Sequence, residues 1–135
     1  MSGNGTLAKL ERALLEKLLG GTSETFRILR GQLGSLRVID RELTGVGFWT
    51  SFAIGGEAEK LPGGPSFRFG DVVADLDGLK HGAGFDLLVE DGSLRMLEGY
   101  SFDEPWPDNA DHFTLHYDSG ADRDEAAVVA SFTPA

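Results

Sequence analysis

The least expected side chain in this sequence is a carboxylate at position 98. Leu94, Met96, Tyr100 and Phe102 share its strand parity, so Glu98 is expected to point into an apolar face. A carboxylate buried without a partner is costly, and it either raises its pKa or finds a cation. Arg27, Arg30 or Arg37 from the helical part could supply that cation. A bulge near Gly99 would instead turn Glu98 outward. If neither holds, Glu98 and Tyr100 form an acid/base pair, since buried carboxylates gather at functional sites. His81, in the turn Gly78-Leu79-Lys80-His81-Gly82, is the third catalytic candidate, because histidine titrates near neutrality. No nucleophile stands beside it in the sequence, and a surface loop histidine is the simpler reading.

A second group suits binding rather than catalysis. Trp49 falls on the parity opposite Phe48 and Phe52, so it leaves the main core. Trp106 is framed by Pro105 and Pro107, with Asp103, Glu104, Asp108 and Asp111 around it. Exposed tryptophans anchor interfaces, and clustered acids suit a basic partner surface. A packed tryptophan in a solvated acidic loop is the competing reading. Trp49, Trp106, Asp103, Glu104 and Asp108 are the binding candidates.

Other chemistry is disfavoured. His112 and His116 have the spacing of a zinc-binding helix, but their surroundings alternate like a strand, which separates the rings by roughly 13 Å. Asp75-Leu76-Asp77-Gly78 has part of a calcium loop, yet Val73 and Gly84 stand where ligands are needed. Gly45-Val46-Gly47 and Gly82-Ala83-Gly84 lack the third glycine and the helix of a dinucleotide loop. There is no cysteine, hence no thiolate zinc site and no thiol nucleophile. No cofactor and no metal are expected.

The elements that carry these residues follow from periodicity. Leu7, Leu10, Leu14 and Leu18, widened by Leu15 and Leu19, form one helical stripe, with Lys9, Glu11, Arg12, Glu16 and Lys17 opposite. Thr6 is the expected N-cap, and Gly20-Gly21 ends the helix. A second helix is expected after Thr22 or Ser23, with Phe26, Leu29, Leu33 and Leu36 inward. From about Leu36 the period changes to two, which argues strands. Between Phe67-Arg68-Phe69 and Val72-Val73-Ala74-Asp75-Leu76 the apolar parity slips at Gly70, which implies a bulge. Asp91-Gly92 between alternating runs predicts a type I′ hairpin. A two-residue loop would set Val89 against Leu94, Leu87 against Met96 and Phe85 against Glu98. Residues 55–65 and 103–108 read as loops, and Ala126–Phe132 reads as a closing strand. The fold class is α+β: two N-terminal helices packed on a largely antiparallel, curved sheet of six to seven strands. Residues 1–135 form a single domain, with residues 1–5 expected to be disordered.

Composition bounds the rest. The chain has 135 residues and a net charge of −10. Residues 1–68 carry nine basic and seven acidic side chains, whereas residues 69–135 carry three basic and fifteen acidic. The acidic excess therefore belongs to the strand-rich half. It repels phosphate backbones, so no nucleic acid partner is expected. The N-terminus lacks the basic and apolar blocks of a signal peptide, and no apolar run reaches membrane-spanning length, so a soluble cytoplasmic protein with no membrane partner is expected.

Several blocks occur in a recognisable order: Glu42-Leu43-Thr44-Gly45-Val46-Gly47-Phe48, Gly70-Asp71-Val72, His81-Gly82-Ala83-Gly84-Phe85, and Leu97-Glu98-Gly99-Tyr100 with Glu104-Pro105-Trp106-Pro107. In these the chain resembles a group of small bacterial proteins of unknown function, over roughly residues 36–108. The resemblance implies strand and turn positions and carries over no catalytic residue. Three functions from different classes remain. The first is a non-enzymatic, immunity-like accessory protein that uses an acidic face to bind a basic protein surface. The second is a small-molecule-binding protein or enzyme with a pocket around Glu98 and Tyr100. The third is a homo-oligomer built through Trp49 or a sheet edge.

Overall fold

A computed structural model describes residues 7–134. Thr6 and the segment 1–5 lie outside the described residues. Helix α1 spans Lys9–Leu18, and its stripe of Leu10, Leu14, Leu15 and Leu18 is buried together with Leu19. Helix α2 spans Glu24–Gly31. Ser23 caps it by accepting the Phe26 N–H at 3.3 Å, and Phe26, Ile28 and Leu29 face the core. A 3₁₀ turn, Gln32–Ser35, leads into the sheet.

The strands are β1 (Arg37–Leu43), β2 (Gly47–Ala53), β3 (Phe67–Phe69), β4 (Val72–Leu76), β5 (Ala83–Glu90), β6 (Ser93–Ser101), β7 (Phe113–Tyr117) and β8 (Thr133–Pro134). All the pairings are antiparallel, in the order β1-β2-β6-β5-β3-β8, with β4 joining β5 to β7. The class is α+β, as expected, with eight strands among the described residues. β3 and β4 are two halves of one run along β5: Phe69 pairs with Leu87 and Val73 with Gly84, so one extra residue lies between them. This is the expected bulge at Gly70. A Cβ on Gly70 would stand 1.8 Å from the Phe85 carbonyl oxygen, so the close approach requires glycine.

Helix α1 lies across the inner face of the sheet. Glu11 meets β1 and β2 through Arg41 and Thr50, and the Lys17 carbonyl accepts the Tyr117 hydroxyl of β7. The inward row Phe48, Phe52, Phe69, Phe85, Leu87, Val89, Leu94 and Leu97 completes the core. No helix of the described residues is long and apolar enough to cross a membrane.

Three expectations are corrected. The hairpin turn is type I′, with Asp91 at φ 52° and Gly92 at φ 78°, and Val89 does pair with Leu94. Beyond that pair the register moves by one: Leu87 faces Leu97 and Phe85 faces Gly99. Arg95 is the extra residue of a bulge, and one residue suffices to exchange the faces of everything after it. The buried Gln32 amide holds this irregular start: its Oε1 accepts the Leu94 N–H, and its Nε2 donates to the Gly92 and Glu59 carbonyls. Second, Ala126–Ala130 is helix rather than strand. Helix α3 spans Glu125–Ala130, capped by Asp124, which accepts the Ala127 N–H at 3.1 Å; only Val128 is buried. Third, Glu11 is not on the solvent side of α1 but 3% exposed.

Candidate functional site

The Arg95 bulge decides where the candidate residues go. It turns Leu97 and Gly99 inward and puts Met96, Glu98 and Tyr100 on the outer face. Glu98 is therefore half-exposed on the face opposite the core, and its expected inward direction is overturned. The bulge that does this lies at Arg95, three residues before the end of the Leu94–Glu98 stretch, and not at Gly99.

Across the outer face the registers place one residue from each of four adjacent strands in a row. Glu42 of β1 pairs with Trp49 of β2, Trp49 with Glu98 of β6, and Glu98 with Asp86 of β5. Tyr100 occupies the next line, between Gly47 and Gly84. Its ring lies over Gly84, where a Cβ would stand 2.7 Å from it. Phe102 meets Tyr100 edge-on at 5.7 Å. Tyr100 is 36% and Phe102 48% exposed, so the aromatic surface faces water.

The charged members of this row are all acidic. Asp86 and Glu98 are directly opposite each other, an arrangement that destabilises a sheet when both are ionised. Burial raises the Tyr100 hydroxyl above its ordinary pKa, and the charges of Asp86 and then Glu98 raise it further. Among the described residues neither these two carboxylates nor Glu42 forms an ion pair. Arg95 is held by Glu90 at 2.9 Å, and Arg68, opposite Leu88, forms no ion pair among the described residues.

The loop after β6 separates the remaining candidates. The Ser101 hydroxyl lies within hydrogen-bond reach of the Val46 and Glu104 carbonyls, and the Trp106 backbone N–H donates to the Gly45 carbonyl. Trp106 is thereby turned toward the inner face, where its ring meets Phe48 edge-on at 5.5 Å. Glu104 accepts the backbone N–H groups of Lys80 and His81 at 2.9 and 3.0 Å, which hold its carboxyl below the usual glutamate range. His81 is exposed on that turn. Asp103, at φ 63°, and Asp108 are exposed. The structure thus brings Trp49, Glu98 and Tyr100 onto one surface and leaves Asp103 and Asp108 on the adjoining loop. Glu104 and Trp106 are engaged in holding that loop. His116 lies within β7 and exposed His112 precedes it, beside a shallow hollow of about 510 Å³ whose acids, Asp75, Asp77 and Asp111, are solvated.

Buried polar groups that sequence reasoning missed lie on the other face. Glu11 accepts from Arg41 Nε and Nη2 (2.9 and 2.6 Å), from the Thr50 hydroxyl and from the Ala8 N–H (2.8 Å). Asp71, turned inward by the Gly70 bulge, is bound by both forks of Arg123 at 2.8 and 2.7 Å. Arg123 also donates to the Gly20 carbonyl and lies over the Phe26 ring at 4.4 Å. Glu125 receives the Thr22 and Ser23 N–H groups, so the C-terminal segment is tied to the α1–α2 turn. A signal for Glu11 existed: Leu7, Leu15 and Leu18 flank it at i−4, i+4 and i+7, which places it inside the apolar stripe. All these groups are satisfied by protein partners, which marks them as structural. No family model, curated protein or solved structure matches the chain.

Proposed function

We propose that this protein is a non-enzymatic interaction module, an accessory protein of the immunity-like kind, whose outer sheet face docks a basic protein surface. The observation that carries this reading is the row Glu42, Trp49, Glu98 and Asp86 with Tyr100 beside it. It combines aromatic area with several carboxylates that form no ion pair among the described residues. Unpaired like charges in register cost stability, and a cationic partner would relieve that cost on binding. The block resemblance to small bacterial proteins supports a bacterial source and brings no activity with it. The reading of Glu98 and Tyr100 as an enzymatic pair has less support, because Glu98 stands on an open sheet face, where a substrate is poorly shielded from water.

Affinity capture from the source cells tests the proposal, with the double variant Asp86→Lys/Glu98→Lys as the control. The expected result is a stoichiometric basic protein that the wild type retains at physiological salt and the variant releases. Absence of any stoichiometric partner, or retention indifferent to the charge reversal, would refute it.

A further inference from the structure

The geometry of the row points to a more specific feature of the partner. We infer that Trp49 is the seat of an arginine side chain, held flat on the indole with its guanidinium forked toward Glu42 and Glu98. This deepens the acidic-face reading and rests on it.

Trp49 is half-buried in β2, and both of its cross-strand neighbours are carboxylates. Neighbouring strands lie about 4.8 Å apart, which sets one acid on each side of the indole at the reach of a planar guanidinium. Asp86 extends the row by one strand beyond Glu98, and Tyr100 walls the next line. Among the described residues no cation forms an ion pair with Glu42, Glu98 or Asp86; Arg95 is engaged by Glu90, and Arg68 lies on β3, opposite Leu88.

The chemistry favours arginine over lysine. A guanidinium is weakly hydrated, stacks on an aromatic face and donates in a fork that matches carboxylates on either side. An ammonium is a point charge that keeps its water and gains less from the ring. The acids alone would attract either cation; the indole between them is what distinguishes the two.

Hexa-arginine and hexa-lysine peptides of equal charge test this on the full chain at low salt. The expected result is binding of both, with the arginine peptide tighter by about two- to fivefold. Trp49→Phe should narrow that preference while keeping the affinity for the lysine peptide within about twofold. Asp86→Asn/Glu98→Gln should weaken both. A second measurement does not depend on the Trp49 variant: in Trp106→Phe, the arginine peptide should quench the remaining indole more than the lysine peptide at equal saturation. Equal affinity for the two peptides, or a preference that survives Trp49→Phe, would overturn the arginine seat and leave the acidic-face reading standing. Failure of both peptides to bind would overturn both.

Discussion

Replacing Glu11 by glutamine tests the packing of α1 on β1 and β2. The wild-type carboxylate is 3% exposed and accepts hydrogen bonds from Ala8, Arg41 and Thr50. Glutamine keeps the shape but has one accepting oxygen, and its NH₂ faces the Arg41 donors. Hydrogen bonds to charged groups contribute about 1.5–3 kcal/mol each. The Arg41 side chain is 20% exposed and can turn partly to water, so the full cost of orphaning a buried ion does not apply. The expected net loss is about 2–3 kcal/mol. With a urea slope of about 1–3 kcal/mol per M, the midpoint should fall by roughly 1–2 M at unchanged slope. The pH dependence supplies a second reading. Burial pushes the Glu11 pKa up, but hydrogen bonds from Arg41, then Thr50 and Ala8, outweigh it, so the folded value lies below the ordinary one. The contribution of the ionised group is therefore complete above the unfolded pKa of about 4.3 and is lost as pH falls through the folded value. The gap between wild type and Glu11→Gln should shrink in acid below that point. A loss under about 0.5 kcal/mol at neutral pH, or a gap that stays constant into strong acid, would refute the reasoning.

Other perturbations have equally defined outcomes. Arg123→Ala leaves Asp71 buried without its cation and should cost about 3–5 kcal/mol. Hydrogen exchange should show faster exchange in α3, which Arg123 and Glu125 tie to the α1–α2 turn; unchanged protection of α3 would refute that role. Gly70→Ala forces a Cβ against the Phe85 carbonyl and should destabilise by about 2 kcal/mol or more in urea unfolding. Asp86→Asn/Glu98→Gln removes the like-charge pair and should be neutral or stabilising by a few tenths to about 1 kcal/mol. In the same variant the ultraviolet titration of Tyr100 should move down, but only part of the way, because burial is the larger cause of its elevation.

The functional reading follows from a division of labour between the two faces of the sheet. On the inner face the charged groups are matched: Glu11 with Arg41, Asp71 with Arg123. On the outer face Glu42, Glu98 and Asp86 form no ion pair among the described residues, and Tyr100 and Phe102 are exposed. Inner groups hold the fold, and the outer groups are those that the proposed partner would engage.

Local chemistry by itself determined much of this protein. The leucine stripe of α1, the serine cap of α2, the Gly70 bulge and the Asp91-Gly92 turn are each dictated by short-range sterics and hydrogen bonding, so they could be read from neighbours in the chain. The acidic excess of the second half and the α+β order were legible for the same reason. Three features were decided only by tertiary structure. The bulge at Arg95 is stabilised by Gln32, 62 residues before Leu94, and no local pattern announces it; it reversed the direction of Glu98 and Tyr100 and so built the outer row. Ala126–Ala130 has a composition that suits helix or strand, and the anchoring of Arg123 and Glu125 on distant segments settled it. Glu11 lies inside an apolar stripe yet reads as a surface charge, because its partners Arg41 and Thr50 come from strands that only the folded chain brings to it. Parity along a strand is a local rule, but the face it selects depends on every register shift before it, and those shifts are set by contacts far away in sequence.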